Sequence, residues 1–203
     1  VTEGEILNAI QRLKNFYQKD GFLFVEIDYK RKKINKYSDL QIFIEENNPV
    51  LVKEITFFYS SVPDIETILQ ESGLRDYIAR DEIFKDEKVL RLKSLLVQLL
   101  LENGYPDPQI NFNISKSDSP QKVNLAYTLD NLVKVSYGNI DIKGNDRSSD
   151  KIILKHSELL PGKSYRQSDL VSTQRRIQQL SLFQYVTIRA DLNGIHNQTI
   201  PME

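Results

Sequence analysis

Three stretches of the chain place apolar residues at helical spacing and then switch to strand alternation. Ile6, Leu13 and Phe16 share one helix face, as do Val89, Leu96 and Leu99, and later Leu170, Ile177 and Leu180. The spacing is the same each time and fits a helix that buries one side. Each helix runs into a break carrying an aromatic residue: Phe22, Tyr105 or Phe183. Alternation follows in Val25, Ile27 and Tyr29, in Pro108, Ile110 and Phe112, and in Val186, Ile188 and Ala190. A period of two marks strands with one buried face. A second strand comes next, Leu40, Ile42 and Ile44 matching Val123, Leu125 and Tyr127, with the polar "KRKKINKYSD" as a hairpin tip in the first copy.

The second and third copies carry extra elements before the long helix. Val50–Ser60 and Val133–Asn145 both read as strands, with Ile55 matching Ile140, and short helices follow from Asp64 and from Ser149. Ser148 or Ser149 is expected to cap the latter, and Asp86 the long helix of the second copy, by accepting amide protons of the first turn. The repeating unit is therefore strand, helix, helix, strand, strand. The expected division is 1–49 for a partial unit (second helix and last two strands), 50–131 for a complete one, and 132–203 for one truncated at its last strand. On this reading the chain is a fragment whose native N-terminus lies upstream.

Composition narrows the partners. Of 203 residues, 27 are basic and 28 acidic, so the bulk electrostatic argument for nucleic acid falls away. No apolar run approaches the roughly 20 residues that span a bilayer as a helix. Cysteine is absent, which removes disulfides, thiolate metal sites and a thiol nucleophile, and suits an oxidising compartment.

Catalytic chemistry finds no foothold. The two histidines, His156 and His196, lack a carboxylate or nucleophile pattern and read as surface residues. The acidic run Asp81–Glu87 precedes a helix, where negative charge complements the macrodipole. Gly138 and Gly144 are not followed by the Gly-Lys-Ser/Thr of a phosphate loop. No enzyme activity, metal or cofactor is expected. The basic tip Lys30, Arg31, Lys32, Lys33 and Lys36 reads as a solvated hairpin end. In "FFY", Phe57 and Tyr59 should share the core face, leaving Phe58 outward.

A tandem strand-helix-helix-strand-strand unit resembles the polypeptide-transport-associated (POTRA) module. The third copy carries the most specific similarity, in "YGNIDIKGN", "LLPGKSY" and "STQRRIQQLSLFQYVTI". Gly21 and Gly104 keep the glycine before the aromatic, where the third copy has Ser181. The resemblance implies an α+β fold of tandem β-α-α-β-β modules, each a three-stranded mixed sheet covered by two helices. It is closest in kind to the BamA/TamA-type assembly factors of the outer membrane.

What the resemblance implies about function is a periplasmic arm of an outer-membrane assembly or translocation factor, followed by a membrane β-barrel in the same full-length chain. Its partners would be unfolded outer-membrane proteins, with periplasmic lipoproteins or chaperones as accessories, and no nucleic acid. Substrates would add to the strand after the second helix by β-augmentation, which needs only free backbone groups and a tolerant apolar groove. The corresponding residues are Val25, Ile27 and Tyr29; Gln109, Ile110, Phe112 and Ile114; and Val186, Ile188 and Ala190. Pro106 and Pro108 lack amide donors, so the second edge should begin no earlier than Gln109. The POTRA region of a two-partner-type secretion transporter is the nearest alternative, and an α/β RNA-binding module a remote one. The short linkers "ENNPV" and "DNLVK" are no flexible tethers, and limited hinge motion is expected at Asn47, Asn48 and Pro49 and at Asp130, Asn131 and Leu132.

Overall fold

The computed structural model describes residues 2–34, 37–60, 62, 64–119, 121–145 and 148–203. The first helix, α1 (Glu3–Lys19), is opened by a capping box in which Thr2 accepts from the Glu5 amide and the Glu5 carboxylate accepts from Thr2, satisfying two otherwise orphaned donors. It is followed by β1 (Glu26–Ile34) and β2 (Tyr37–Glu45), an antiparallel pair in continuous register from Glu26 opposite Glu45 to Ile34 opposite Tyr37. Lys30 lies over the Phe43 ring at 5.2 Å. Lys36, at the basic tip, falls outside the described residues.

The second repeat supplies β3 (Leu51–Tyr59), α2 (Ile65–Glu71), α3 (Asp86–Glu102), β4 (Gln109–Lys116) and β5 (Lys122–Asp130). Its three strands form one mixed sheet in the order β3-β5-β4. The central strand explains the alternation: Val123, Leu125, Tyr127 and Leu129 are buried and the residues between them are not. Tyr127 is fully buried, packs between Phe57 and Phe112 at ring distances of 5.7 and 5.9 Å, and donates its hydroxyl to the Val89 carbonyl at 2.9 Å. That bond meets the requirement that a buried phenol keep a partner. Phe58 is 55% exposed, facing away from the core as the alternation requires.

The third repeat supplies β6 (Ser136–Ile140), α4 (Asp150–Lys155), α5 (Gln167–Gln179) and β7 (Thr199–Met202). Ser149 caps α4, accepting from the Lys151 amide at 3.1 Å. Strands β6 and β7 are parallel, and Ala190 bridges to Met202 on the other side of β7. The order of the second repeat is thus repeated, with the last strand in the middle.

Two compact units emerge. One comprises Val1–Phe57, Arg75–Lys93 and Phe112–Tyr127; the other comprises Phe58–Leu74, Ser94–Asn111 and Thr128–Glu203. In the first, the buried residues include Ile6, Val25, Val50, Val52, Phe84, Val89, Leu92, Leu125 and Tyr127. In the second, Val135, Tyr137, Leu159, Tyr165, Leu170, Ile200 and Met202 form one cluster, against which Leu101 from the end of α3 packs.

Two features depart from the sequence pattern. The strand expected over Val186–Ala190 is present only as the bridge at Ala190, extended by paired backbone bonds between Arg189 and Glu203 at 2.7 and 2.9 Å. Among the described residues, Val186–Ile188 have no ladder partner. The apolar face of β2 is also uncovered: Leu40, Ile42 and Ile44 are 39%, 45% and 42% exposed, whereas their counterparts Val123, Leu125 and Tyr127 are at 6%, 1% and 0%. Strand β2 has a neighbour on one side only among the described residues.

Candidate binding edges

Strand β4 ends the three-strand sheet and leaves one side unpaired among the described residues. It begins at Gln109, directly after the two prolines. The Ser117 amide bonds to the Lys122 carbonyl at 3.1 Å, which sets the alternation along the antiparallel pair with β5. By that alternation the amides of Ile110, Phe112, Ile114 and Lys116 point away from β5. Ile110 is buried and Phe112 half-buried, while Ile114 is 38% exposed and Gln109 is open to solvent. A peptide laid along β4 would find free donors on the backbone and progressively more open apolar side chains toward Lys116.

The other two sets of predicted edge residues differ. Ile27 and Tyr29 are half-buried on β1, which pairs only with β2 among the described residues. Val25 precedes the strand and is 1% exposed, so its side chain belongs to the core rather than to an edge. In the third repeat, Val186, Ile188 and Ala190 are half-buried, and Val186 and Ile188 line a groove of about 450 Å³ with Ile140, Ile153, Thr173, Ile177 and Phe183 among others. Its rim is polar. The Lys143 ammonium sits between Glu203 and Asp141, at 2.9 and 3.0 Å, and these carboxylates push its pKa up to about 12.

The residues expected to act as hinges lie in the connection after β2 and at the end of β5. Asn47, Asn48, Asp130 and Asn131 are exposed; Pro49 and Leu132 are half-buried. Asn47 and Asn131 adopt left-handed backbone conformations, with φ of 58° and 55°, which asparagine tolerates better than most residues. Near the second turn stands an ionic cluster that the sequence pattern did not reveal. Asp64 accepts from Tyr105 at 2.5 Å and from Lys134, whose ammonium lies 5.9 Å from the Tyr105 ring centre. Burial alone would raise the Asp64 carboxyl, but the bonds from Lys134 and Tyr105 outweigh it and hold the group below its ordinary value.

Elsewhere the polar groups have structural duties. The buried Asp169 carboxylate receives Lys163 at 2.8 Å and lies 3.2 Å from the Tyr137 hydroxyl, tying β6 to the first turn of α5. Within the acidic run, Asp81 pairs with Lys122 and Glu82 with Lys88. No group of three or more His, Asp or Glu side chains is placed to hold a metal ion among the described residues, and none of their helices is long and apolar enough to cross a membrane.

No family model and no curated protein sequence matches the chain. Solved structures do. POTRA domains 3–5 of BamA from Haemophilus influenzae superpose with a TM-score of 0.62 at 14% identity, over 97% of this chain and 78% of that one. BamA from Haemophilus ducreyi lacking POTRA domains 1–3 gives a TM-score of 0.62 at 13% identity, over 75% of this chain but only 28% of its own. At such identities the likeness concerns fold, which by itself does not fix function. The similarity extends through both compact units: the chain has the fold of tandem POTRA domains.

Proposed function

We propose that the chain is part of the periplasmic arm of an outer-membrane protein assembly or translocation factor, and that it captures extended segments of unfolded barrel proteins by β-augmentation. The observation that carries this reading is β4: a sheet-terminal strand of eight residues with its outward amides unpaired among the described residues. The partition into modules at 1–49, 50–131 and 132–203 belongs to the same proposal. The backbone supplies most of the affinity in this mode, and alternate side chains are read loosely, which suits a receptor for many sequences. Accessory lipoproteins or chaperones would use the exposed helical faces.

The test removes one outward donor without disturbing the ladder to β5. Ile114→Pro does so at a site already 38% exposed, and proline is tolerated on an edge strand when its missing N–H faced outward. Binding of barrel-strand peptides is expected to weaken by about tenfold, the loss of one net hydrogen bond of roughly 1–1.5 kcal/mol. Unchanged affinity in a variant with a native far-UV spectrum would exclude β4 as the receiving edge.

A further inference from the structure

Both junctions between repeats are built from the same hydrogen bonds. At the first, the Gly21 carbonyl accepts from the Val50 amide, and the Val50 carbonyl accepts from the Phe84 amide, both at 2.8 Å. At the second, the Gly104 carbonyl accepts from the Val135 amide at 2.8 Å, and the Val135 carbonyl from the Tyr165 amide at 3.0 Å. Each relay therefore runs from the loop after one repeat's long helix, through the residue just before the first strand of the next repeat, to an aromatic residue of that next repeat. All four side-chain-bearing members, Val50, Val135, Phe84 and Tyr165, are buried to 2% exposure or less.

A side chain closes each relay. The Asn47 amide donates to the Phe24 carbonyl at 2.8 Å, and the Asn131 amide donates to the Asp107 carbonyl at 2.7 Å and to the Asp107 carboxylate at 2.9 Å. Both asparagines are left-handed, and both reach back to the loop that precedes an edge strand. The glycines match as well, with φ of 96° at Gly21 and 99° at Gly104. The second junction adds the Asp64–Lys134–Tyr105 cluster, and Glu102 at the end of α3 accepts from the Ser168 amide at 2.8 Å in the first turn of α5.

We infer that each junction is a latched joint, with Asn47 and Asn131 as the latches, rather than the hinge that its short linker suggested. The physical reason is the number of constraints per linker residue. A hinge needs a few residues free to change φ and ψ. Here the relay bonds join buried main-chain groups and the asparagine side chains add bonds at the surface, so opening would break several together. The joint is independent of what the modules bind.

The absence of cysteine makes the test clean, because two introduced thiols carry the only spin labels. Asn8→Cys with Arg91→Cys reports on the first joint, and Glu71→Cys with Arg175→Cys on the second; all four are exposed helix positions. Pulsed dipolar spectroscopy on the full chain should give a narrow distance distribution for both pairs. Asn47→Gly and Asn131→Gly keep the left-handed backbone accessible and remove only the latch. Each is expected to broaden its own pair and leave the other unchanged, with far-UV spectra as in the parent. Should either glycine variant fold poorly, Asn→Asp at the same position removes the donor while keeping the turn preference, with the same broadening expected. A parent distribution already broad at either joint, or a folded latch variant whose own pair stays as narrow as the parent's, would overturn the inference.

Discussion

Gly21→Ala is expected to destabilise the chain by about 2–4 kcal/mol, close to the upper end of single-residue effects. Two costs add. At a φ of 96° an alanine carries backbone strain, on the order of 1–2 kcal/mol. Its Cβ would also stand 2.5 Å from the Phe84 carbonyl oxygen and 2.8 Å from the Ile83 side chain. The carbonyl belongs to the residue whose amide bonds to the Val50 carbonyl, so it cannot retreat without straining the relay. Gly104 has the same backbone, but an added Cβ would meet the Lys134 side chain at 3.0 Å and the Ser164 hydroxyl at 3.1 Å. Side chains move more cheaply, so Gly104→Ala is expected to cost about 1–2 kcal/mol. Urea denaturation at constant m-value measures both. Equal losses would mean that the backbone contact at Phe84 does not govern the first joint.

The second large effect separates two positions that look alike in sequence. Leu125 and Ile42 occupy matching places in the alternating strands of successive repeats, yet Leu125 is 1% exposed and Ile42 is 45% exposed. Leu125→Ala removes a buried side chain from a covered sheet and is expected to cost about 3–4 kcal/mol through lost transfer energy and the cavity left behind. Ile42→Ala is expected to cost less than about 1 kcal/mol, because nearly half of that residue's surface stays in water and the exposed site leaves no closed cavity. Comparable losses at the two sites would indicate that the face of β2 is covered in solution.

That contrast shows where the sequence stops being informative. Periodicity reports which side of an element is able to face a core, so the helices α1, α3 and α5 and the strands β1, β2, β4 and β5 were legible from their spacing alone. It does not report whether another element arrives to cover that side. Phe16 lies on the apolar stripe of α1 and is still 63% exposed. The alternation of Val186, Ile188 and Ala190 likewise announces a strand, but a strand needs a ladder partner, and among the described residues the pairing is confined to Arg189–Asp191.

The joints were half legible. Gly21 and Gly104 stand out in the sequence as glycines before an aromatic, and the short linkers suggest hinges. The main-chain bonds of the relays reach residues far off in sequence, Val50 with Phe84 and Val135 with Tyr165, and no local pattern encodes those pairings. The matching aromatics Phe84 and Tyr165, each ending the segment after a short helix, were the signal that could have led to them. Val25 is a related case: alternation puts it in phase with Ile27 and Tyr29, but the pairing with β2 begins one residue later, at Glu26.

The central claim is strand capture along β4, and backbone amide chemical-shift mapping tests it most directly. The folded chain, labelled with nitrogen-15, would be titrated to about 1 mM with an extended peptide from an outer-membrane barrel strand, a range that detects the weak binding expected of a tolerant receptor. The account predicts saturating shifts confined to Gln109–Lys116 and strongest at Ile110, Phe112, Ile114 and Lys116, whose amides face outward. Saturating shifts elsewhere, or none at all in a folded sample, would contradict it.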